Sequence, residues 1–141
     1  MMIMPEKVSI WAEKAPGPIG HYCQAIKYGN TIHFAGQLPL DPKTLEVVGP
    51  DPVQQVATVM KHLTEFMHAC GGQMSHILKV NLYLTDLADL PAYEKVAKET
   101  FFFLPPALTV VQVAGLPKGA RICIDAVAEI TPPEGTGTGV M

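Results

Sequence analysis

Residues 51–84 read DPVQQVATVMKHLTEFMHACGGQMSHILKVNLYL, and the hydrophobic period changes once along them. Asp51 can cap a helix, Pro52 suits its first position, and Gln54 completes a capping-box pattern. Val53, Val56, Met60, Leu63 and Met67 then recur every three or four residues, laying one apolar stripe along the helix. Cys70-Gly71-Gly72 stops it. From Ile77 to Leu84 apolar and polar residues alternate, as in a strand with one buried side. The two methionines of the stripe read as core filler rather than a ligand groove.

The flanks extend this unit. Upstream, residues 7–11 read as a strand and residues 15–20 (APGPIG) as a loop. Residues 22–28 and 31–37 read as two strands joined by Gly29-Asn30, a two-residue hairpin turn. Asp41-Pro42 and Gly49-Pro50 mark a connecting loop. Downstream, residues 91–102 read as a second helix capped by Asp89, with Tyr93, Val96, Ala97 and Phe101 inward. Residues 107–114 and 120–129 finish the domain as strands joined by Leu116-Pro117-Lys118-Gly119. The order βββαβαββ is an α+β domain: a six-stranded sheet with two helices on one face. A single domain over residues 1–130 is expected, with residues 131–141, rich in Pro and Gly, as a flexible tail.

Residues 108–114 are apolar on both faces, and so are residues 122–128 apart from the acid. A sheet face without helices would then expose more apolar surface than a monomer tolerates. A homo-oligomer follows as the expectation.

The chain has 141 residues, enough for one domain. Ten basic residues against 13 acidic ones give a formal charge of −3, and Arg121 is the only arginine. That balance disfavours a nucleic-acid partner. Three widely spaced cysteines (Cys23, Cys70, Cys123) offer neither a disulfide framework nor a zinc pattern, which fits a reducing interior. No stretch reaches the ~18 apolar residues of a membrane span, so no membrane partner is expected. A cytoplasmic protein is the default, with an organelle left open by so short a leader.

Few side chains announce chemistry. His62 and His68 are six residues apart on one helix, on opposite sides, and cannot chelate together. The histidines other than His33 read as surface or incidental, and no metal site is expected. His33 lies mid-strand and by alternation shares a face with Ala35 and Gln37. Cys123 alternates with Arg121 and Asp125, and a half-buried thiol with no cation beside it is inert. No Ser-His-Asp order, nucleophile elbow or P-loop is present.

Several segments taken together add a resemblance. Residues 15–25 (APGPIGHYCQA), 34–42 (FAGQLPLDP) and 80–87 (VNLYLTDL) resemble three signature segments of the reactive-intermediate deaminase (RidA/YjgF) family. So do Pro106-Ala107, residues 113–122 (VAGLPKGARI) and Asp125-Ala126-Val127-Ala128. The match runs in order from about residue 7 to 130. It implies a chorismate-mutase-like fold assembled as a homotrimer, with clefts between neighbouring subunits. Full-site members hydrolyse 2-imino and enamino acids to 2-oxo acids and ammonia without a cofactor. Their site uses an arginine fork on the substrate carboxylate, a glutamate that positions water, and a tyrosine.

Carried over residue by residue, Tyr22 keeps the tyrosine and Gly36-Gln37 keep the turn. The arginine position is Leu108, the glutamate position Cys123, the pocket serine Ala35, and a cysteine two residues past the arginine is Val110. An asparagine of the second helix falls at Glu94. By strand alternation Leu108 and Val110 share a face, and Cys123 is expected with them. The expected catalytic residues are thus Tyr22, Glu94 and Cys123. The expected substrate-binding residues are Tyr22, His33, Ala35, Gly36, Leu108, Val110 and Cys123. Such a cleft is largely apolar and suits a small metabolite that is neutral or cationic, with imine hydrolysis weakened or redirected. A non-catalytic metabolite-binding trimer is the alternative, and an RNA-cleaving or RNA-binding protein a weaker one.

Overall fold

The computed structural model describes residues 6–130; the expected tail lies outside them. Eight principal elements run in the order β1 (Lys7–Ser9), β2 (Ala25–Tyr28), β3 (Thr31–Phe34), α1 (Pro52–Ala69), β4 (Ile77–Leu84), α2 (Leu90–Thr100), β5 (Ala107–Gln112) and β6 (Ile122–Glu129). They form the expected α+β fold, one six-stranded sheet in the order β1-β2-β3-β6-β4-β5. The β4–β5 pair, bridged by α2, is parallel, and the other pairs are antiparallel.

Local chemistry explains α1. The Asp51 carboxylate accepts from the Val53 N–H at 3.1 Å and Pro52 stands at N1. The reciprocal bond expected of Gln54 is replaced by Gln55, whose Nε2 donates to the Gly49 carbonyl at 2.7 Å. At the other end Gly71 takes φ +81, its N–H donates to His68 O, and Gly72 N–H donates to Met67 O. This is a Schellman stop, and a left-handed residue is what it requires. The buried side of α1 carries Val56, Val59, Met60, Leu63, Phe66 and Met67, so both methionines are core filler.

Asp89 does not cap α2 through its side chain. Its carboxylate instead receives Arg121 through two hydrogen bonds, Nε at 2.9 Å and Nη2 at 2.8 Å. Long-range electrostatics has taken the side chain away from its local role.

Strand pairing assigns the two faces of the sheet. Ile32, Phe34, Val80, Leu82, Leu84, Ile122, Ile124, Ala126 and Ala128 join the α1 residues in one core, with Phe34 and Phe66 meeting edge to face at 6.2 Å. The opposite, open face carries His33, Val127, Lys79, Asn81, Tyr83, Cys123, Asp125, Thr109 and Val111 by register. That face is less apolar than expected, because the polar alternates of β4 and β6 lie on it. Five strands are shorter than the sequence suggests. β1 ends at Ser9, β2 starts at Ala25, β3 ends at Phe34, β5 ends at Gln112 and β6 starts at Ile122.

Candidate functional site

The group with most chemistry lies at the end of β6. Cys123 is buried and packs with Leu38, Leu40 and Ala120, with Ile19, Val47, Tyr83 and Leu116 against them. Gly36 meets it so closely that a Cβ there would stand 2.6 Å from the Cys123 Sγ. Burial pushes the Cys123 thiol up to about 12, and the charge of Asp125 adds to the effect. The thiol is therefore protonated at neutral pH and is neither nucleophile nor base.

Two residues along β6, Asp125 faces the same way. Asn81 Nδ2 donates to its Oδ1 at 2.7 Å and the Tyr83 hydroxyl donates to its Oδ2 at 2.8 Å. The hydrogen bond to Asp125 raises the Tyr83 pKa, followed by burial and by the Asp125 charge. Among the described residues, no basic side chain pairs with this carboxylate. Asn81 and Tyr83 were not singled out from sequence. The signal was there: β4 alternates Lys79, Asn81, Tyr83 on one side, and register sets Asn81 opposite Asp125.

The expected site residues divide. Gly36 and Cys123 come together, and the Tyr22 loop borders them through Ile19. Tyr22 itself is exposed, and its hydroxyl accepts from Ile19 N–H at 3.2 Å. His33 is exposed on the open face. Ala35 is half-buried beyond the end of β3. There strand alternation no longer applies, so Gln37 is fully buried rather than beside His33.

Leu108 and Val110 fall on the other side of the sheet from Cys123. Leu82 pairs with both Val110 and Ile124, whereas Tyr83 pairs with Val111 and Cys123. Partners across a ladder share a face, so the expectation that the three share one is corrected within a single chain. Val110 packs against the helix-side core and Leu108 is 37% exposed at the sheet edge. Glu94 is exposed on α2 and lines a separate open groove of 820 Å³ with Leu87, Leu90 and Lys98.

His62 is a further correction. It is buried, not a surface histidine, and its Nε2 lies 2.8 Å from the Leu40 carbonyl. The lone arginine is also committed. Besides its fork on Asp89, Arg121 donates from Nη1 to Pro50 O and from its backbone N–H to Gln55 Oε1. No cluster of histidine, cysteine or carboxylate groups suited to a metal occurs among the described residues, and no helix among them is long and apolar enough to cross a membrane.

The α+β fold, one mixed six-stranded sheet with two helices on one face, is the class of protein to which comparison assigns the chain. The sequence pattern of the family described as Endoribonuclease L-PSP matches residues 12–130. A 2-iminobutanoate/2-iminopropanoate deaminase of Dermatophagoides farinae is 42% identical over 130 residues, covering 90% of this chain and 99% of that protein. A RutC family protein of Pyrococcus abyssi is 41% identical over 122 residues, 86% and 96% of the two chains. The crystal structure of RidA from an Antarctic Psychrobacter superposes with a TM-score of 0.84 at 36% identity, covering 87% of this chain and 99% of that one. The chain belongs to this RidA/YjgF family, described by its pattern as Endoribonuclease L-PSP.

Proposed function

We propose that the chain works as a homotrimer whose intersubunit cleft takes a small neutral or cationic metabolite. In this reading, hydrolysis of 2-imino and enamino acids is weakened or redirected; the Dermatophagoides farinae relative is named as a 2-iminobutanoate/2-iminopropanoate deaminase. The observation that carries it is Arg121. The only guanidinium in the chain is held by Asp89 in a two-bond fork and is not free to grip a ligand carboxylate. Losing a charge-assisted fork typically costs about 1.5–3 kcal/mol per bond, or powers of ten in rate.

Three observations support the rest. Leu108 and Cys123 lie on opposite sides of one sheet, so a cleft containing both needs a second copy. The Cys123 thiol is protonated, which makes it a wall. Asp125, held by Asn81 and Tyr83 without a basic partner, favours a cation over an anion nearby.

The test is hydrolysis of 2-imino acids generated in place by an amino-acid oxidase, with semicarbazide competing for them. The native chain is expected to be slow and Leu108→Arg, alone or with Cys123→Glu, faster. Native turnover equal to that of the Dermatophagoides farinae relative would overturn the weakened reading. Sedimentation is expected to give a trimer of the 15.2 kDa chain; a monomer would remove the cleft.

The non-catalytic alternative rests on the same protonated thiol. It predicts saturable thermal stabilisation by an amine-bearing metabolite without turnover.

A further inference from the structure

We infer that Gln37 and Gln24 form a buried clamp that holds the Gly36 turn against Cys123, making both of them positioning residues for that end of the site. The clamp deepens the reading above, since the turn it holds borders the proposed cleft, yet its test needs no turnover.

Gln37 is fully buried and Gln24 is 8% exposed. Amides enter a protein interior only at a cost that hydrogen bonds must offset. Here the bonds run just past the last pair of the β2–β3 ladder, Ala25 with Phe34, where the two chains leave the sheet. Gln37 Nε2 donates to Ala35 O at 3.0 Å, and to Gln24 O and Gln24 Oε1 at 3.3 Å each. Gln24 Nε2 passes the connection on to Pro16 O at 3.2 Å and Gly17 O at 3.4 Å. The opening loop that carries Tyr22 is thereby tied to the turn that carries Gly36.

The main chain closes the other side. Gln37 N–H donates to Ile124 O at 2.7 Å, Ile124 N–H donates back at 3.1 Å, and Ala35 N–H donates to Gln24 O at 2.8 Å. Gly36 therefore sits between two anchored residues, and Ile124 directly follows Cys123. This bracket fixes the glycine backbone at a distance from Sγ that admits no Cβ.

One atom argues that stability alone does not account for this arrangement. Gln37 Oε1 is buried and has no hydrogen-bond partner among the described residues. An amide with an orphaned oxygen is a costly filler for a space that an apolar side chain could occupy. What the amide supplies is its donor, which reaches three carbonyl oxygens on two segments.

The experiment reads Cys123 as a reporter in a Cys23→Ser, Cys70→Ser background of the assembled protein. Labelling by a disulfide reagent is followed at pH 8 in low urea. Gln37→Met keeps the length and apolar volume and removes the donor; it is expected to speed labelling at least tenfold, with little dependence on urea, as for local opening. Gln24→Met is the second variant should the first not fold, and is expected to do the same. The double variant should be no faster than either single one, as for groups acting as a unit. Val59→Ala, a core change away from the clamp, should speed labelling only where urea unfolds the whole chain. Unchanged labelling in both glutamine variants, or labelling that follows urea as in Val59→Ala, would overturn the clamp. Failure of imine turnover would leave these rates untouched, so the two readings fail separately.

Discussion

On the helix side of the sheet, Ile32, Val80, Leu82, Ile122 and Ile124 lose all contact with water, while on the open side His33, Asn81, Tyr83 and Asp125 keep part of theirs. Both sets come from the same strands, one residue out of step. The helix side is complete within one chain, because α1 and α2 supply the apolar partners. The open side is organised by hydrogen bonds around Asp125 and by the fit of Gly36 to Cys123. Stability is thus concentrated on one face and specific chemistry on the other.

The sharpest way to break this contrast is to create a cavity on the helix side. Leu63→Ala, at a site with no exposure, is expected to cost about 2–5 kcal/mol, read from the urea midpoint. A loss under about 1 kcal/mol would mean that the core is not where stability resides. Next comes Gly36→Ala on the open side, expected to cost about 1–3 kcal/mol by overpacking against Sγ. Cys123→Ala in the same chain should recover most of that loss. Simple additivity of the two changes would show that the Gly36–Cys123 contact is not its cause.

His62 sharpens the comparison through pH. Burial lowers its pKa below 6.5, only partly offset by the bond to Leu40, and its buried Nδ1 has no partner among the described residues. The unfolded chain therefore takes up a proton before the folded one does. Stability is fully present above pH 6.5 and falls as pH drops below it, levelling off once the folded-state pKa is passed. Tm followed from pH 7.5 to 5 should decline, and His62→Gln should flatten the decline. An equal slope in the variant would assign the effect to other groups.

The smallest expected change is Tyr83→Phe, at about 0.5–1.5 kcal/mol. It removes one hydrogen bond from a half-exposed carboxylate that keeps Asn81. A loss as large as that of Leu63→Ala would make the open face part of the stability core.

How much of the site could be read from sequence follows from the range of each interaction. The candidate positions came from signature segments, and Gly36 with Cys123 are neighbours in the fold. The placement of Leu108 and Val110 failed. A period of two says which residues of one strand agree, and nothing about which side of another strand they join. Glu94 lies exposed on α2, apart from Cys123 within one chain, because helix phase and not strand alternation sets its direction. His62 sits on the same helix as the exposed His68, and only the arriving Leu40 loop makes it interior.

The sequence by itself determined the order of elements, the α1 stripe with its Asp51 start and Gly71 stop, and the family. These depend on caps, turns and periods that act within a few residues. Only the tertiary structure decided that Arg121 belongs to Asp89, that Asn81 and Tyr83 hold Asp125, and that Gln37 bonds Gln24 across the open end of the β2–β3 hairpin. Those pairings join residues 13 to 44 positions apart, where register and burial select the partner.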